Sequence, residues 1–269
     1  MQKIRKVFVN SAHRVSGTSS NAVFQLPIDI ECGNDGEICH LCLTGISLPH
    51  IWYGIQENVN NLMYFREAGT HVDQTIAIPP GSYTSASLAN KIQTEMNKVA
   101  TGGASYSVVF SNNTNKISIT QNNGSGFRVY SDHELRVDGM VDGLPIDVPK
   151  SINSILNTPP FSGYIASWSS GLVSVNRIHE VYIRSSALAK GYSTIDPRGS
   201  RNTLRKLNVD VDFGGIITTD HSFEVADLHQ FSGTIRRFDV QLTDVNGSIL
   251  DIGEVPWSFS ISIVYGPID

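Results

Sequence analysis

The regular alternation of apolar and polar residues constrains the fold of this chain more than any other feature of its sequence. It is clearest in residues 257–265, where serines separate four large apolar residues, Trp257, Phe259, Ile261 and Ile263. Residues two apart lie on the same face of a β-strand, so this pattern predicts a strand with one apolar face in a core. We expect this strand to be central in its sheet, with all four apolar side chains buried.

Shorter alternating runs recur along most of the chain. They cover residues 4–10, 24–30, 38–48, 61–66, 163–168, 177–185, 204–213, 236–243 and 249–252. Pro27 interrupts the second run and indicates an edge position or a bulge, because proline has no N–H to donate to a neighbouring strand. Many short strands separated by turns favour an antiparallel β-sandwich of the jelly-roll type.

The region 75–160 has a different pattern. Within residues 86–99, apolar residues recur at helical spacing, at Leu88, Ile92, Met96 and Val99. Three short strands follow, at 106–110, 116–120 and 127–130. We therefore predict a mainly β protein with a discontinuous jelly-roll domain, 1–74 plus 161–269, and an inserted small α+β subdomain, 75–160, that carries the one clear helix. Two sequential domains that meet near residue 160 are the alternative.

The charge and composition of the chain limit its partners. Its 20 basic and 25 acidic residues give a net charge of −5, whereas nucleic-acid-binding domains present a basic face. Packaged nucleic acid is therefore a candidate partner only for a small basic cluster, either Lys3, Arg5 and Lys6 or Arg198, Arg201, Arg205 and Lys206. Charged residues make up 17% of the chain and hydrophobic residues 40%, which argues against disorder. Because no apolar run approaches the length of a membrane helix, we expect no membrane span.

Sequence motifs for catalysis or cofactor binding are absent. The sequence has no nucleophile elbow, phosphate-binding loop or dinucleotide-binding glycine motif. Cys39 and Cys42 form a C-x-x-C, but a zinc site needs four ligands and this segment alternates like a strand. Asp210 and Asp212 lie two apart in a predicted strand, and charges on its solvent face explain them better than a pair of catalytic carboxylates. We therefore expect no catalytic, cofactor-binding or metal-binding site, and a protein that is not an enzyme.

Separated blocks of the sequence resemble one family of viral proteins. The blocks are VNSAHR at 9–14, GTS at 17–19, FQLP at 24–27, IAIPPGSYT at 76–84, LTDVNG at 242–247 and WSFSI at 257–261. In this order and spacing they resemble the penton or minor capsid proteins of the Polinton, adintovirus and virophage group. The resemblance marks eight residues as structural or assembly positions: Ser11, Arg14, Phe24, Gly81, Tyr83, Asp244, Gly247 and Trp257.

The resemblance implies a structural role in a virus particle. It implies a jelly-roll subunit that forms homopentamers at the fivefold vertices of an icosahedral shell and contacts the major capsid protein. Such a protein is found in the virion and is made in the cytoplasm or nucleus of the host cell. On this hypothesis the N-terminal strand lies along a neighbour or faces inward through Lys3, Arg5 and Lys6, and the region 83–130 projects outward. Residues 132–160 and 185–203 match no block of the family.

Two other classes of function are compatible with the residues. One is a carbohydrate- or receptor-binding jelly-roll module, such as a phage tail or attachment protein, in which Trp52, Tyr53 and Trp168 would stack on sugars. A vertex protein can also carry receptor-binding loops, so a host receptor or glycan remains a candidate partner on either reading. The other class is an enzyme whose site would be a deep pocket with converging titratable groups.

Overall fold

The computed structural model describes residues 3–32, 39–68, 73–137, 151–160, 163–176, 178–189, 202–219, 228–231 and 233–265. The strands found there are β1 Lys3–Asn10, β2 Ser16–Thr18, β3 Asn21–Cys32, β4 Cys39–Pro49, β5 Leu62–Glu67, β6 Asp73–Ala77, β7 Tyr106–Ser111, β8 Lys116–Gln121, β9 Phe127–Val129, β10 Ser167–Ser169, β11 Glu180–Arg184, β12 Thr203–Asn208, β13 Ile216–Thr218, β14 His229–Phe231, β15 Gly233–Thr243 and β16 Ser258–Tyr265. The helices are α1 Ser85–Val99, α2 Asp132–Val137 and α3 Asn153–Leu156, with a 3-10 turn at Ser11–His13. Two compact units contain these elements: Met1–Trp52 with Ile178–Asp269, and Tyr53–Arg177.

The first unit is built from two antiparallel sheets. One has the order β1-β16-β4-β13, with β14 also paired to β4, and the other has the order β12-β11-β15-β3-β2. Along the sequence the chain passes repeatedly from one sheet to the other. The first sheet contains β1, β4, β13, β14 and β16, and the second contains β2, β3, β11, β12 and β15. This alternation, with the first and last strands side by side, is the jelly-roll arrangement. The predicted fold class is confirmed.

Apolar residues from both sheets form the core of the first unit. All four apolar residues predicted for the last strand are buried, and β16 lies between β1 and β4, as expected of a central strand. Phe24 of β3 stacks on Phe238 at 5.4 Å and meets the edge of Phe259 at 6.0 Å, so it joins the two sheets. Aromatic contacts of this kind add to the stabilisation from apolar burial.

Pro27 lies in a bulge, which is one of the two positions that the sequence indicated for it. Ile235 of β15 pairs with Ile30 of β3, whereas Arg237, only two residues further along β15, pairs with Gln25. The extra residues of β3 bend it away from the ladder, where a residue without an N–H breaks no pairing.

The second unit contains two small sheets and the long helix. One sheet has the order β6-β5-β9 and the other β10-β8-β7. Thr84 caps α1 by accepting the Ser87 N–H at 3.1 Å, and the helix buries Leu88, Ile92 and Met96. The helix predicted at 86–99 is confirmed. Strand β5, whose residues were predicted to belong to the jelly-roll domain, pairs with β6 and β9 of the second unit.

Two strand predictions for the first unit are wrong. The predicted strand 204–213 ends at Asn208, so Asp210 and Asp212 are exposed residues of the following turn and do not share a strand face. The chain turns there because Gly214 has a φ of +88°, and the Gly215 N–H bonds to the Asp212 carbonyl at 2.9 Å. The predicted strand 249–252 is reduced to one bridge between Ile249 and Thr243.

Candidate functional site

Two connections that are far apart in the sequence meet around Trp257. Residues 11–20 lead from β1 to β3 and residues 244–257 lead from β15 to β16, and we call the place where they meet the loop junction. Ser11 is fully buried, and its N–H donates to the Trp257 carbonyl at 2.8 Å while its Oγ accepts the Trp257 N–H at 2.9 Å. The indole N–H of Trp257 donates to the Ser19 carbonyl at 2.8 Å. The backbone of both connections is therefore fixed by buried hydrogen bonds.

Arg14 links the same two connections at the surface. Its Nε donates to the Gly17 carbonyl at 2.9 Å, and its Nη1 donates to the Ser11 carbonyl at 3.0 Å. Its Nη2 forms an ion pair with Glu254. Because guanidinium donors have a fixed planar geometry, one side chain can hold three acceptors in place. Arg14 therefore ties the 11–20 connection to the 244–257 connection.

Two glycines of the loop junction occupy backbone conformations that side chains rarely adopt. Gly17 has a φ of +90°, and a Cβ there would lie 2.0 Å from the Asn21 carbonyl oxygen. Gly247 has a φ of +77° in the turn that begins at Asp244, whose side chain accepts the Ser248 N–H at 2.8 Å. Both turns need a residue without a Cβ, which explains why glycine occurs in these two sequence blocks.

Several apolar residues of the two connections are exposed. Ile249 is 49% exposed and Val245 is 51% exposed, and Val15 and Val255 are exposed as well. A depression of about 290 Å³ is lined by Thr18, Ser20, Ile249, Leu250, Asp251, Gly253 and Glu254. The exposed Ile249 at this depression makes the 244–257 connection a candidate contact surface with another protein.

Strand β1 forms the edge of the first sheet and exposes its outer face. Ile4, Lys6 and Phe8 alternate with core-facing Val7 and Val9. Phe8 is 76% exposed and Ile4 is 50% exposed, whereas Val9 is buried. Arg5 and Lys6 are both exposed, and the side chain of Lys3 lies outside what the structure describes.

The remaining family-motif residues lie elsewhere. Phe24 belongs to the core of the first unit. Gly81 and Tyr83 are in the second unit, where Gly81 forms a bridge with Ile55 and the Tyr83 hydroxyl donates to the Pro79 carbonyl at 2.9 Å. The structure thus brings Ser11, Arg14 and Trp257 together, places Asp244 and Gly247 in a local turn at the start of the second connection, and places the other three residues elsewhere.

Two of the three candidate sugar platforms are buried, whereas Tyr53 is 48% exposed. Trp52 and Trp168 are 3% and 2% exposed, so neither can stack on a ligand at the surface. The candidate metal ligands Cys39 and Cys42 are buried and three residues apart on β4, a spacing that places them on opposite faces of the strand. Within the described ranges, no group of three or more His, Cys, Asp or Glu side chains could hold a metal ion.

The second predicted basic cluster, Arg198, Arg201, Arg205 and Lys206, is described only at its last two residues. Arg205 donates to the Leu43 carbonyl at 2.6 Å, and Lys206 pairs with Glu180 at 2.8 Å. Arg198 and Arg201 lie outside the described residues. The two described members of this cluster therefore make contacts within the first unit.

In the part of the chain that is described, no helix is long and apolar enough to cross a membrane.

The clearest pKa shifts belong to tyrosines in hydrogen-bond networks. Burial, together with a hydrogen bond of 2.7 Å to Glu67, raises the pKa of Tyr106 well above its usual range. Burial and a 2.7 Å hydrogen bond to Asp73 do the same for the pKa of Tyr130. In the first unit, a hydrogen bond to Glu180 raises the pKa of Tyr182 to about 12. These hydroxyls therefore remain protonated donors at neutral pH.

Comparison with known proteins identifies a solved structure of similar architecture. No protein-family model and no curated protein sequence matches the chain. Among solved structures, the mavirus penton protein superposes with a TM-score of 0.52 at 10% sequence identity, covering 98% of this chain and 100% of that chain. The resemblance found in the sequence blocks is therefore confirmed for the fold: the chain has the jelly-roll fold of a virophage penton protein, with its inserted region included in the match.

Proposed function

We propose that this chain is a structural capsid protein, the penton subunit of an icosahedral virus particle. The observation that carries the proposal is the extent of the structural match, which covers 98% of this chain and all of the mavirus penton protein. Jelly rolls occur in proteins of many functions, so a match to that sandwich alone would carry little weight. A match that also includes the inserted second unit is much more specific.

In this role five copies form a ring at each fivefold vertex and contact the major capsid protein around it. The exposed residues of the first unit suit such contacts, because Phe8 and Ile249 leave large apolar areas on its surface. Subunits of a ring contact one another through two different surfaces, and the first unit offers two candidates, the outer face of β1 and the loop junction. The protein is then a component of the virion, made in the host cell.

The inserted unit is the candidate for functions specific to one virus. The sequence predicted the insertion at 75–160, and the compact unit Tyr53–Arg177 is its nearest structural counterpart. In the proposed arrangement this unit projects outward from the vertex, where a host receptor or glycan would meet it. The glycan-binding alternative for the whole protein gains no support from Trp52 and Trp168, because both are buried.

The proposal is tested by assembly. The purified protein is examined by native mass measurement across concentration and salt, and large species are imaged by negative stain. The protein is then coexpressed with the major capsid protein encoded by the same genome, and shells are purified by density. We expect rings of five copies, or shells in which this chain occupies the vertices. Shells that assemble with closed vertices but without this chain would contradict the proposal.

A further inference from the structure

The outer face of β1 combines exposed apolar and positively charged side chains. Ile4, Lys6 and Phe8 lie on one face of an edge strand whose described partner is β16 alone. Phe8 is 76% exposed and Ile4 is 50% exposed. Among the residues that the structure describes, no carboxylate lies within ion-pair distance of Lys6 or the adjacent Arg5. The face therefore has both apolar area and unneutralised charge.

Protection of the edge does not explain this composition. Lysine and arginine on an edge strand are a common device against uncontrolled strand pairing. Ile4 and Phe8 work against protection of the edge, because they add exposed apolar surface to the same strand. A face that carries both is better explained as one with a specific partner of opposite charge.

The 244–257 connection of the same chain has the complementary composition. It contains Asp244, Asp251 and Glu254 and no lysine or arginine. Its apolar residues Val245, Ile249 and Val255 are exposed, and Asp251 is exposed between them. Glu254 is held by Arg14, and the side chains of Asp244 and Asp251 each accept one nearby backbone N–H, from Ser248 and Gly253 respectively. Asp251 is exposed whereas Asp244 is half-buried, and no lysine or arginine among the described residues lies within ion-pair distance of Asp251, so its carboxylate is accessible to a cation of a partner.

We propose that the outer face of β1 in one copy binds the 244–257 connection of the next copy. Ile4 and Phe8 pack against Ile249 and its apolar neighbours, and Lys6 faces Asp251. The contact uses two different surfaces of each chain, so repetition produces a closed ring or an open filament rather than a twofold dimer. This inference rests on the proposed penton function, and it identifies the surfaces by which the ring is closed.

The test uses substitutions of exposed residues, which leave the fold intact. Lys6→Glu and Phe8→Ser each change one half of the contact, and Asp251→Lys changes the other half. The matched control is Arg237→Glu, which reverses an exposed charge on β15 in the opposite sheet. Sedimentation at low salt measures the fraction of protein in the ring, and circular dichroism verifies folding of every variant. Exposed charge pairs contribute modestly, so reversal of Lys6 should weaken each contact about tenfold at low salt and less at high salt.

The combined variant Lys6→Glu with Asp251→Lys tests whether these two side chains face each other across the contact. We expect the single variants to be monomers at concentrations where the native protein and Arg237→Glu form rings, and the combined variant to regain the ring. Rings that persist in both Lys6→Glu and Phe8→Ser would overturn the inference, as would a native protein that never self-associates. Incorporation of the native chain at the vertices of coexpressed shells tests the penton function independently of the proposed contact between copies. Normal rings in variants that fail only to enter shells would assign the β1 face to the major capsid protein instead.

Discussion

Replacement of Ser11 by alanine tests whether its buried hydrogen bond to Trp257 determines the shape of the loop junction. In the native protein the Ser11 Oγ accepts the Trp257 N–H at 2.9 Å, at a position where Ser11 is fully buried. Ser11→Ala removes this acceptor and leaves the N–H without a partner in a place that water does not reach. The reverse bond, from the Ser11 N–H to the Trp257 carbonyl, is a backbone bond and is retained.

The cost of this change follows from the buried donor. An unsatisfied buried N–H costs about 1–3 kcal/mol, while the cavity left by one oxygen atom adds little. For a domain of this size, about 2 kcal/mol corresponds to a fall in melting temperature of about 4–8 °C. Loss of the acceptor should also speed exchange of the Trp257 amide hydrogen with solvent, because local opening of the junction becomes easier.

The assay compares Ser11→Ala with Ser16→Ala by differential scanning calorimetry and hydrogen exchange. Ser16 is an exposed residue of β2 in the neighbouring segment, so its replacement should change the free energy of unfolding by less than about 0.5 kcal/mol. If the two variants melt within about 1 °C of each other, and the Trp257 amide exchanges at the native rate in both, the reasoning from the buried hydrogen bond is refuted.

Three further predictions concern folding. Ile261→Asp places a charge in the core of a central strand, and we expect insoluble or unfolded protein by circular dichroism, so a folded soluble variant would contradict the jelly-roll register. Because the pKa values of Tyr106 and Tyr130 are raised in the folded state, unfolded tyrosines lose protons first, and stability should fall as the pH rises above about 10. Thermal melts at pH 9 and pH 11 check this, and Tyr130→Phe should reduce the difference between them. Residues 53–177 expressed alone should melt cooperatively, and a fragment without a melting transition would argue against an independent inserted unit.

Local sequence patterns predicted the regular elements well, because periodicity records which face of an element is buried. The burial of Ile261, the bulge at Pro27 and the helix beginning near Ser85 all follow from spacing and residue type. The pattern failed where backbone conformation outweighed it. Residues after Asn208 continue to alternate, but the strand ends there and the chain goes on into a turn at 212–215 that contains Gly214 with a positive φ.

Pairing between distant segments was beyond the reach of local patterns. Nothing in residues 61–66 shows whether that strand joins the jelly roll or the inserted unit, because its apolar face suits either core. Its partners, β6 and β9, are known only from the structure. In the same way, Glu254 had no distinguishing sequence signal, although it pairs with Arg14, and nothing in the sequence indicated that the Ser19 carbonyl accepts the Trp257 indole N–H. Their importance comes from neighbours brought together by folding.

The jelly-roll topology itself explains why motif residues from opposite ends of the sequence form one site. Because β1 and β16 are adjacent and antiparallel, the end of β1 at Asn10 lies beside the start of β16 at Ser258. The connection that leaves β1 and the connection that enters β16 must therefore meet, and the Ser11–Trp257 hydrogen bonds are the direct result. The outer face of β1 begins at the same place and continues along the sheet edge. One strand pair thus supports both the rigid junction and the exposed face, so a change that loosens the junction should also displace the surfaces proposed to close the ring.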